Sequence, residues 1–250
     1  LHAKNASKTY DGTALTQSEW EIVSGNAYGH DFTVVMSADS TITDAGTQPN
    51  VIATVDGVAV TTGTTKAIGN FNVQTSNGTL TVNRMQIVIW ANNASRDYNG
   101  QPLTQHEWTT PATSLPATDT HEFQVEYSAE STITDVGTKD NIITKVDGVE
   151  IPSDNQFHEV GNYLIRVDKG TLTVTPAYIV LYAKNASKPY DGTALTQSEW
   201  GIATGSAYGH DFTVVMTADS TITNAGTQPN VIATVDGTAE IGRASCRERV

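Results

Sequence analysis

The sequence predicts a mainly β protein made of small tandem modules, each with about five strands and one short helical turn. Two observations lead to this prediction. The chain of 250 residues contains three copies of one sequence pattern. Each copy contains short segments, either apolar or alternating between apolar and polar residues, that end at Gly, Asn or Asp. The length is compatible with one to three domains, each with a modest core.

Three motifs recur in the same order. The opening motif, "AKNASKTYDGTALTQSEW" in its first copy, stands at 3–20, 91–108 and 183–200. The central motif, "STITDAGTQPNVIATVDG" in its first copy, stands at 40–57, 131–148 and 220–237. The closing motif ends in "GTLTV" and occurs only at 69–82 and 161–174.

These motifs divide the chain into three predicted modules. Repeat 1 is residues 1–84 and lacks its first few residues, repeat 2 is residues 85–175, and repeat 3 is residues 176–240. Repeat 3 is truncated, because no third copy of the closing motif follows it. Residues 1–60 and 181–240 are nearly identical, which indicates recent duplication within an array.

The last ten residues, 241–250, differ from the rest of the chain. They read "IGRASCRERV" and contain the single cysteine. One choice of codons for this segment spells a common short-read sequencing adapter. We therefore predict that residues 241–250 are a translated adapter and not natural protein, and Cys246 enters no argument about disulfides or metals.

Several segments of each repeat have strand patterns. The runs "MQIVIWA" (85–91) and "AYIVLYA" (177–183) are rich in β-branched and aromatic residues, as in a strand covered on both faces. The segment "HDFTVVMS" (30–37) alternates, which places Phe32 and Met36 on one buried face. The closing motif predicts a hairpin whose glycine supplies a positive φ in the turn.

One helical turn is predicted in each repeat. In "LTQSEW", the Thr16 hydroxyl can cap the turn, Glu19 can return a hydrogen bond to the Thr16 backbone, and Leu15 can pack on Trp20. The same box occurs at Leu103, Thr104, Glu107 and Trp108, and at Leu195, Thr196, Glu199 and Trp200. On this interpretation each repeat buries one tryptophan.

The motifs resemble the MBG-type repeats of bacterial surface proteins. The resemblance rests on "K-x-Y-D-G-x-x-L-T", "T-D-x-G-T-x-x-N" and "G-T-L-T-V", and it covers residues 1–240. It implies β-grasp-like modules strung together in adhesin-like, cell-wall-attached proteins. Ig-like β-sandwich repeats remain the alternative fold. The resemblance implies no catalytic residues, although surface repeats of this kind sometimes carry Lys–Asn cross-links, for which Lys4 and Asn50 are candidates.

The residues that could carry chemistry have simpler interpretations. His30, His121 and His210 are equivalent, but one histidine per repeat without a second ligand at fixed spacing does not make a metal site. Asp11, Asp44 and Asp56 stand beside Gly, Thr or Ala, where turn hydrogen bonds explain them. No nucleophile elbow or EF-hand run occurs. We therefore expect no catalytic, cofactor-binding or metal-binding residues, and no enzyme.

Composition narrows the partners. The formal net charge is −13, which disfavours nucleic acid and anionic membranes, and no run of about 18 apolar residues occurs. The predicted function is a non-catalytic spacer: a semi-rigid, extracellular, cell-wall-associated stalk that is monomeric within a longer chain and presents a distal adhesive or catalytic domain. Alternatively, the repeats themselves bind host or plant glycans or glycoproteins such as mucin.

Overall fold

A computed structural model describes residues 1–110 and 115–239, and every regular element in these ranges is a β-strand. The prediction of a mainly β protein is therefore confirmed. The described residues contain no helix, and so none that could cross a membrane. The segment 241–250, predicted to be a translated adapter, lies outside the described residues.

The strands are short, and they are numbered here in chain order. Repeat 1 contains β1 (His2–Ala3), β2 (Ala6–Thr9), β3 (Leu15–Thr16), β4 (Trp20–Glu21), β5 (Val34–Met36), β6 (Thr41–Ile42), β7 (Gly46–Asn50), β8 (Ile52–Val55), β9 (Val58–Ala59), β10 (Thr65–Ile68), β11 (Phe71–Gln74) and β12 (Gly78–Asn83). Repeat 2 contains β13 (Met85–Ala91), β14 (Ala94–Asp97), β15 (Trp108–Thr109), β16 (Val125–Tyr127), β17 (Gly137–Asn141), β18 (Ile143–Val146), β19 (Val149–Glu150), β20 (His158–Val160), β21 (Tyr163–Asp168) and β22 (Gly170–Thr175). Repeat 3 contains β23 (Val180–Ala183), β24 (Leu195–Thr196), β25 (Trp200–Thr204), β26 (Val214–Met216), β27 (Thr221–Ile222), β28 (Ile232–Val235) and β29 (Thr238–Ala239).

The sheet that organises repeat 1 has the order β2-β12-β7. Its central strand β12 runs parallel to β2 and antiparallel to β7, so that Leu80 lies opposite Ala6 on one side and Gln48 on the other. Leu80 is fully buried and Val82 nearly so. A second sheet, β5-β8-β9, carries a bulge between Val35 and Met36. The alternation of Leu80 and Val82 with outward threonines is what allows β12 to fill the centre of its sheet.

The predicted closing hairpin does not form. β11 pairs with β10, whereas β12 pairs with β2 and β7, so the chain crosses between sheets at residues 75–77. Gly78 is also not a positive-φ turn residue. A Cβ atom at Gly78 would lie 2.3 Å from the Ala3 carbonyl oxygen. The glycine is needed because two backbones approach closely there.

The predicted helical turn at "LTQSEW" is wrong in all three repeats. β3 pairs with β6, and β4 pairs with β1, so the segment is held extended at both ends. The Gln17 side chain accepts a hydrogen bond from the Glu19 backbone N–H at 2.8 Å. Glu19 contacts Lys4 at 3.1 Å and does not return to Thr16. These pairings outweigh the local capping pattern, and Gln105 and Gln197 make the same contact in repeats 2 and 3.

The strand at 85–91 has its predicted bounds, but only one of its faces is buried. Ile87 and Ile89 are fully buried, whereas Trp90 is 44% exposed. β13 runs parallel to β21 in the sheet β15-β13-β21-β20. The predicted alternation in 30–37 is present, since Phe32 is buried, Met36 is half-buried and Val35 is exposed.

The chain divides into two compact units. Among the described residues, unit 1 comprises Leu1–Ala94, Thr104–Thr132 and Lys139–Leu172, and unit 2 comprises Ser95–Leu103, Ile133–Thr138 and 173–239. Two hydrophobic clusters lie in unit 1. One is built around Phe32 and Ile52 of repeat 1, and the other around Phe123 and Ile143 of repeat 2. The three-module boundaries predicted from the sequence remain a prediction.

In unit 2, the residues of repeat 3 are less buried than their counterparts in repeat 1. Ile52 and Val55 of β8 are almost fully buried, whereas the equivalent Ile232 and Val235 are only half-buried. Repeat 3 has the sheets β23-β25, β24-β27 and β26-β28-β29 in its described residues. A counterpart of the β2-β12-β7 sheet is not found there.

Candidate functional site

Each repeat places a histidine against an aspartate. His30 Nε2 lies 2.7 Å from Asp56 Oδ2, and the other carboxylate oxygen of Asp56 accepts the Thr33 backbone N–H at 2.7 Å. The same pair recurs as His121–Asp147 and as His210–Asp236, both at 2.7 Å. The aspartate belongs to the D-G turn after β8 and has a positive φ of 47° at Asp56. The pair therefore ties this turn to the segment that leads into β5.

The environment of the pair explains its electrostatics. The Thr33 backbone N–H, and after it the His30 imidazole, lower the pKa of Asp56 below its usual value. The His30 ring packs edge-on against Phe32 and at a tilt against Phe71. Among the described residues, no group of three or more His, Cys, Asp or Glu side chains could hold a metal ion. This arrangement holds the turn in place. For catalysis or metal binding it provides two polar side chains, those of His30 and Asp56.

The opening motif forms a second polar cluster, around Asp11. Asp11 Oδ1 accepts hydrogen bonds from the Thr13 backbone N–H at 2.9 Å and from Lys8 Nζ at 2.6 Å. The Lys8 ammonium group and the Thr13 hydroxyl and N–H lower the pKa of Asp11 to about 2. Repeat 3 has the same cluster around Asp191. The cluster fixes the Y-D-G turn, and Asp11 makes the predicted turn hydrogen bond.

A buried asparagine at the end of the central motif holds two other segments together. Asn50 Nδ2 donates to the carbonyl oxygens of Lys4 at 2.9 Å and Gln17 at 3.1 Å. Asn141 and Asn230 make the equivalent bonds in repeats 2 and 3. The Lys4 ammonium group pairs with Glu19, whereas Asn50 bonds the Lys4 backbone carbonyl. The two side chains of the candidate Lys4–Asn50 cross-link are therefore not brought together. The structural role of Asn50 was missed by sequence reasoning, although its place in each central motif was the available signal.

Repeats 1 and 2 contact one another within unit 1 through Asn162. Asn162 Oδ1 accepts the Ala45 backbone N–H at 2.8 Å, and its Nδ2 donates to Asp44 at 3.0 Å. Arg84 bonds the Gly161 carbonyl at 3.1 Å and Glu159 at 2.9 Å. The role of Asp44 is thus a contact with the next repeat, which differs from the predicted turn hydrogen bond.

The tyrosine of the Y-D-G turn, and that of its Y-N-G counterpart in repeat 2, also make contacts between repeats. In unit 1, the rings of Tyr10 and Tyr163 meet edge-on with centroids 5.6 Å apart. In unit 2, Tyr98, which is equivalent to Tyr10, meets Tyr208 edge-on at 5.9 Å. Tyr163 also donates a hydrogen bond to Asp119, and burial followed by this carboxylate raises its pKa far above the usual value. The same position of the opening motif therefore faces the following repeat twice.

The tryptophans of the opening motif lie at the edge of the core. Trp20, Trp108 and Trp200 are half-buried and meet Phe32, Phe123 and Phe212 edge-on. A cleft of about 570 Å³ lies beside this region in repeat 1 and is lined by Asn26, Phe71 and Gln74 among others. Tyr28, two residues from Asn26, is 85% exposed. This cleft combines polar side chains with the aromatic rings of Phe32 and Phe71.

Comparison with known proteins gives no relative from which a function could be transferred. No protein-family model, no curated protein and no solved structure matches this chain.

Proposed function

We propose that this chain is a non-catalytic spacer from an extracellular bacterial surface protein, built from MBG-type, β-grasp-like modules. The observation that carries the proposal is the contact between repeats 1 and 2. In a spacer, each module must keep a fixed orientation relative to the next. Direct side-chain contacts at a junction fix this orientation better than a flexible linker does. The proposed role is to hold a distal domain away from the cell wall.

The junction supports the proposal because it is short and well bonded. β12 ends at Asn83 and β13 begins at Met85, so Arg84 alone separates the strands of the two repeats. The Met85 backbone N–H donates to the Asn162 carbonyl at 3.0 Å. Together with the hydrogen bonds of the Asn162 and Arg84 side chains, this bond restrains the first residues of repeat 2.

The proposal can be tested by measuring the distance between repeats. Spin labels at Val35→Cys and Val149→Cys, in a Cys246→Ser background, report on repeats 1 and 2 at two exposed sites. We expect a single narrow distance distribution that broadens in Asn162→Ala. The matched control is Asn70→Ala, because Asn70 follows Gly69 in repeat 1 as Asn162 follows Gly161, yet it is exposed. A broad distribution in the unsubstituted junction would contradict the spacer proposal.

The cleft of repeat 1 favours glycan binding as a second candidate function. Tyr28 is 85% exposed and follows Ala27, which lines the cleft together with the amide side chains of Asn26 and Gln74. An exposed aromatic ring can stack on a sugar face while nearby amides bond its hydroxyl groups. A glycan array and a mucin pull-down with the full chain would test it. Reproducible binding that is lost in Tyr28→Ala would support glycan recognition and replace the spacer as the leading function.

A further inference from the structure

The sequence contains two Asn-Gly dipeptides, and the fold places them in different surroundings. Asn99-Gly100 forms the turn of the opening motif in repeat 2, whereas Asn77-Gly78 stands at the start of β12. The main-chain nitrogen of a glycine is an unhindered nucleophile toward the side-chain amide of a preceding asparagine, because glycine has no Cβ atom. The two dipeptides therefore offer the same chemistry in two different settings.

The turn at Asn99 holds its side-chain amide over the following residue. Asn99 Oδ1 accepts the backbone N–H of Gln101 at 3.0 Å, which folds the side chain back over the main chain of Gly100. Gly100 has a φ of 76°, and a Cβ atom there would lie at an ordinary contact distance of 3.5 Å from Tyr208. The amide carbon of Asn99 and the Gly100 nitrogen are thus neighbours in a turn that leaves room for them to approach.

The surroundings of Asn77 oppose the same approach. A Cβ atom at Gly78 would lie 2.3 Å from the Ala3 carbonyl oxygen and 2.5 Å from that of Lys4. The Asn77 side chain also accepts a hydrogen bond from the Thr62 hydroxyl at 2.5 Å. Because two backbones confine Gly78, its nitrogen cannot turn toward the amide carbon without breaking the sheet.

A positive charge lies beside the turn of repeat 2. In repeat 1, Lys8 Nζ donates to Asp11 Oδ1 at 2.6 Å and also to the Thr13 carbonyl. In repeat 2, Arg96 Nη2 donates to the carbonyl of Gln101, which is the equivalent of Thr13. Arg96 Nε is buried and has no hydrogen-bond partner in the part of the chain that the structure describes. The guanidinium group therefore takes the place of the lysine in a cluster whose aspartate is replaced by asparagine.

We propose that Asn99 is a modification site, at which the chain deamidates itself to aspartate. The Gly100 nitrogen attacks the side-chain amide carbon, its proton passes through solvent to the amide group, and ammonia leaves from a cyclic imide. Water then attacks the side-chain carbonyl of the imide, and the new C–N bond breaks. The Gly100 nitrogen regains a proton and a carboxylate remains. The net change converts asparagine and water into aspartate and ammonium.

Arg96 promotes both attacks and selects the product. Negative charge develops on the side-chain oxygen when the nitrogen or the water attacks, and the guanidinium group and the Gln101 N–H stabilise it there. Water that attacked the main-chain carbonyl instead would give isoaspartate. The new carboxylate accepts a hydrogen bond from Arg96 Nε, and it tightens the turn that carries Tyr98, whose ring meets Tyr208. This modification is independent of the spacer role.

Peptide mass spectrometry with fragmentation tests the proposal on the full chain. The folded chain is incubated in mildly alkaline buffer, and the conversion of each asparagine to aspartate and isoaspartate is followed with time. We expect Asn99 to convert at least about tenfold faster than Asn77, with more aspartate than isoaspartate. The same chain in concentrated urea is the control, and there the two sites should convert at similar rates.

Arg96→Gln isolates the contribution of the guanidinium group. We expect it to slow the conversion of Asn99 about fivefold and to shift the product toward isoaspartate, with Asn77 in the same chain as the unchanged reference. Arg96→Lys should retain most of the rate, because repeats 1 and 3 have lysine at this position. Equal rates at Asn99 and Asn77 in the folded chain would overturn the proposal, as would a wild-type rate and product ratio in Arg96→Gln.

The product can also be made directly as Asn99→Asp. Hydrogen exchange at residues 97–103 should slow about fivefold in this variant, because the carboxylate gains the Arg96 partner. The effect should disappear when Arg96→Gln is added. Unchanged exchange in Asn99→Asp would contradict the proposed ion pair. None of these outcomes alters the distance distribution between repeats 1 and 2, so the spacer proposal is tested separately.

Discussion

Replacing the buried asparagine in each repeat tests how the central motif stabilises the fold. In repeat 1, Asn50→Ala removes two hydrogen bonds, to the carbonyl oxygens of Lys4 and Gln17. Asn50 is 0% exposed, so both carbonyl groups are left without water. The equivalent Asn230 makes the same two bonds but is only half-buried. The two sites therefore form a matched pair with equal bonding and unequal burial.

The expected cost follows from this difference. Two hydrogen bonds contribute about 1 kcal/mol each, and two buried, unpaired acceptors add about 1 kcal/mol each. Asn50 Oδ1 has no partner among the described residues, so its removal offsets about 1 kcal/mol of this total. We expect Asn50→Ala to lower the free energy of unfolding of repeat 1 by about 3 kcal/mol, and Asn230→Ala to lower that of repeat 3 by about 1 kcal/mol, because water can reach its carbonyl groups.

Hydrogen–deuterium exchange followed by mass spectrometry, combined with urea denaturation, resolves the two repeats. Exchange at residues 1–21 reports the loss in repeat 1, and exchange at residues 181–201 reports the loss in repeat 3. Asn50→Asp is a stringent companion, since a carboxylate has no N–H to donate to the two carbonyl groups and should cost more than alanine. Equal losses at Asn50 and Asn230, or an aspartate variant as stable as wild type, would refute the reasoning.

Two further predictions concern acid stability and the close approach of backbones. The pKa of Asp56 is lower in the folded protein than in the unfolded chain. Its stabilising effect is therefore present above the unfolded pKa and is lost as the pH falls through the folded pKa. In Asp56→Asn, the stability of repeat 1 should fall less steeply below about pH 4 than in the wild type, as measured by urea denaturation at several pH values. Gly78→Ala should destabilise repeat 1 by about 3 kcal/mol, because the new Cβ atom would overlap with backbone carbonyl oxygens. The control is Gly57→Ala, which has open space at its Cβ but a φ of 76°, and it should cost about 1 kcal/mol. Similar melting temperatures for the two variants would show that Gly78 is not confined.

The strands were predictable where a local pattern reflects burial. The segment 85–91 is a strand with the predicted bounds, and alternation correctly placed Phe32 and Met36 inward. The supposed helical turn failed for a different reason. Its capping pattern is local, but the Gln17 carbonyl is bonded by Asn50, more than thirty residues later. A local pattern cannot report a competing hydrogen bond from a distant strand.

The contacts between repeats were also beyond sequence reasoning. Asp44 was interpreted from its neighbours as a turn residue, yet its carboxylate bonds Asn162, which lies 118 positions later. Gly78 followed a turn-like "SN" and was interpreted as part of a hairpin, although its glycine is required by the carbonyl oxygens of Ala3 and Lys4. In both cases the residue type was informative, but the reason for it lies in a segment that only the folded chain brings near.

The parallel pairing of β2 with β12 has a mechanical consequence. β2 lies near the beginning of repeat 1 and β12 near its end, so a pull on the two ends of the repeat drives these strands past each other lengthwise. The register pairs from Ala6–Leu80 to Thr9–Asn83 then bear the load together. The β10–β11 hairpin, in contrast, would open one pair after another. Because forced unfolding is set by the rate of unfolding, repeat 1 is arranged to withstand tension along the chain, whatever its stability to heat.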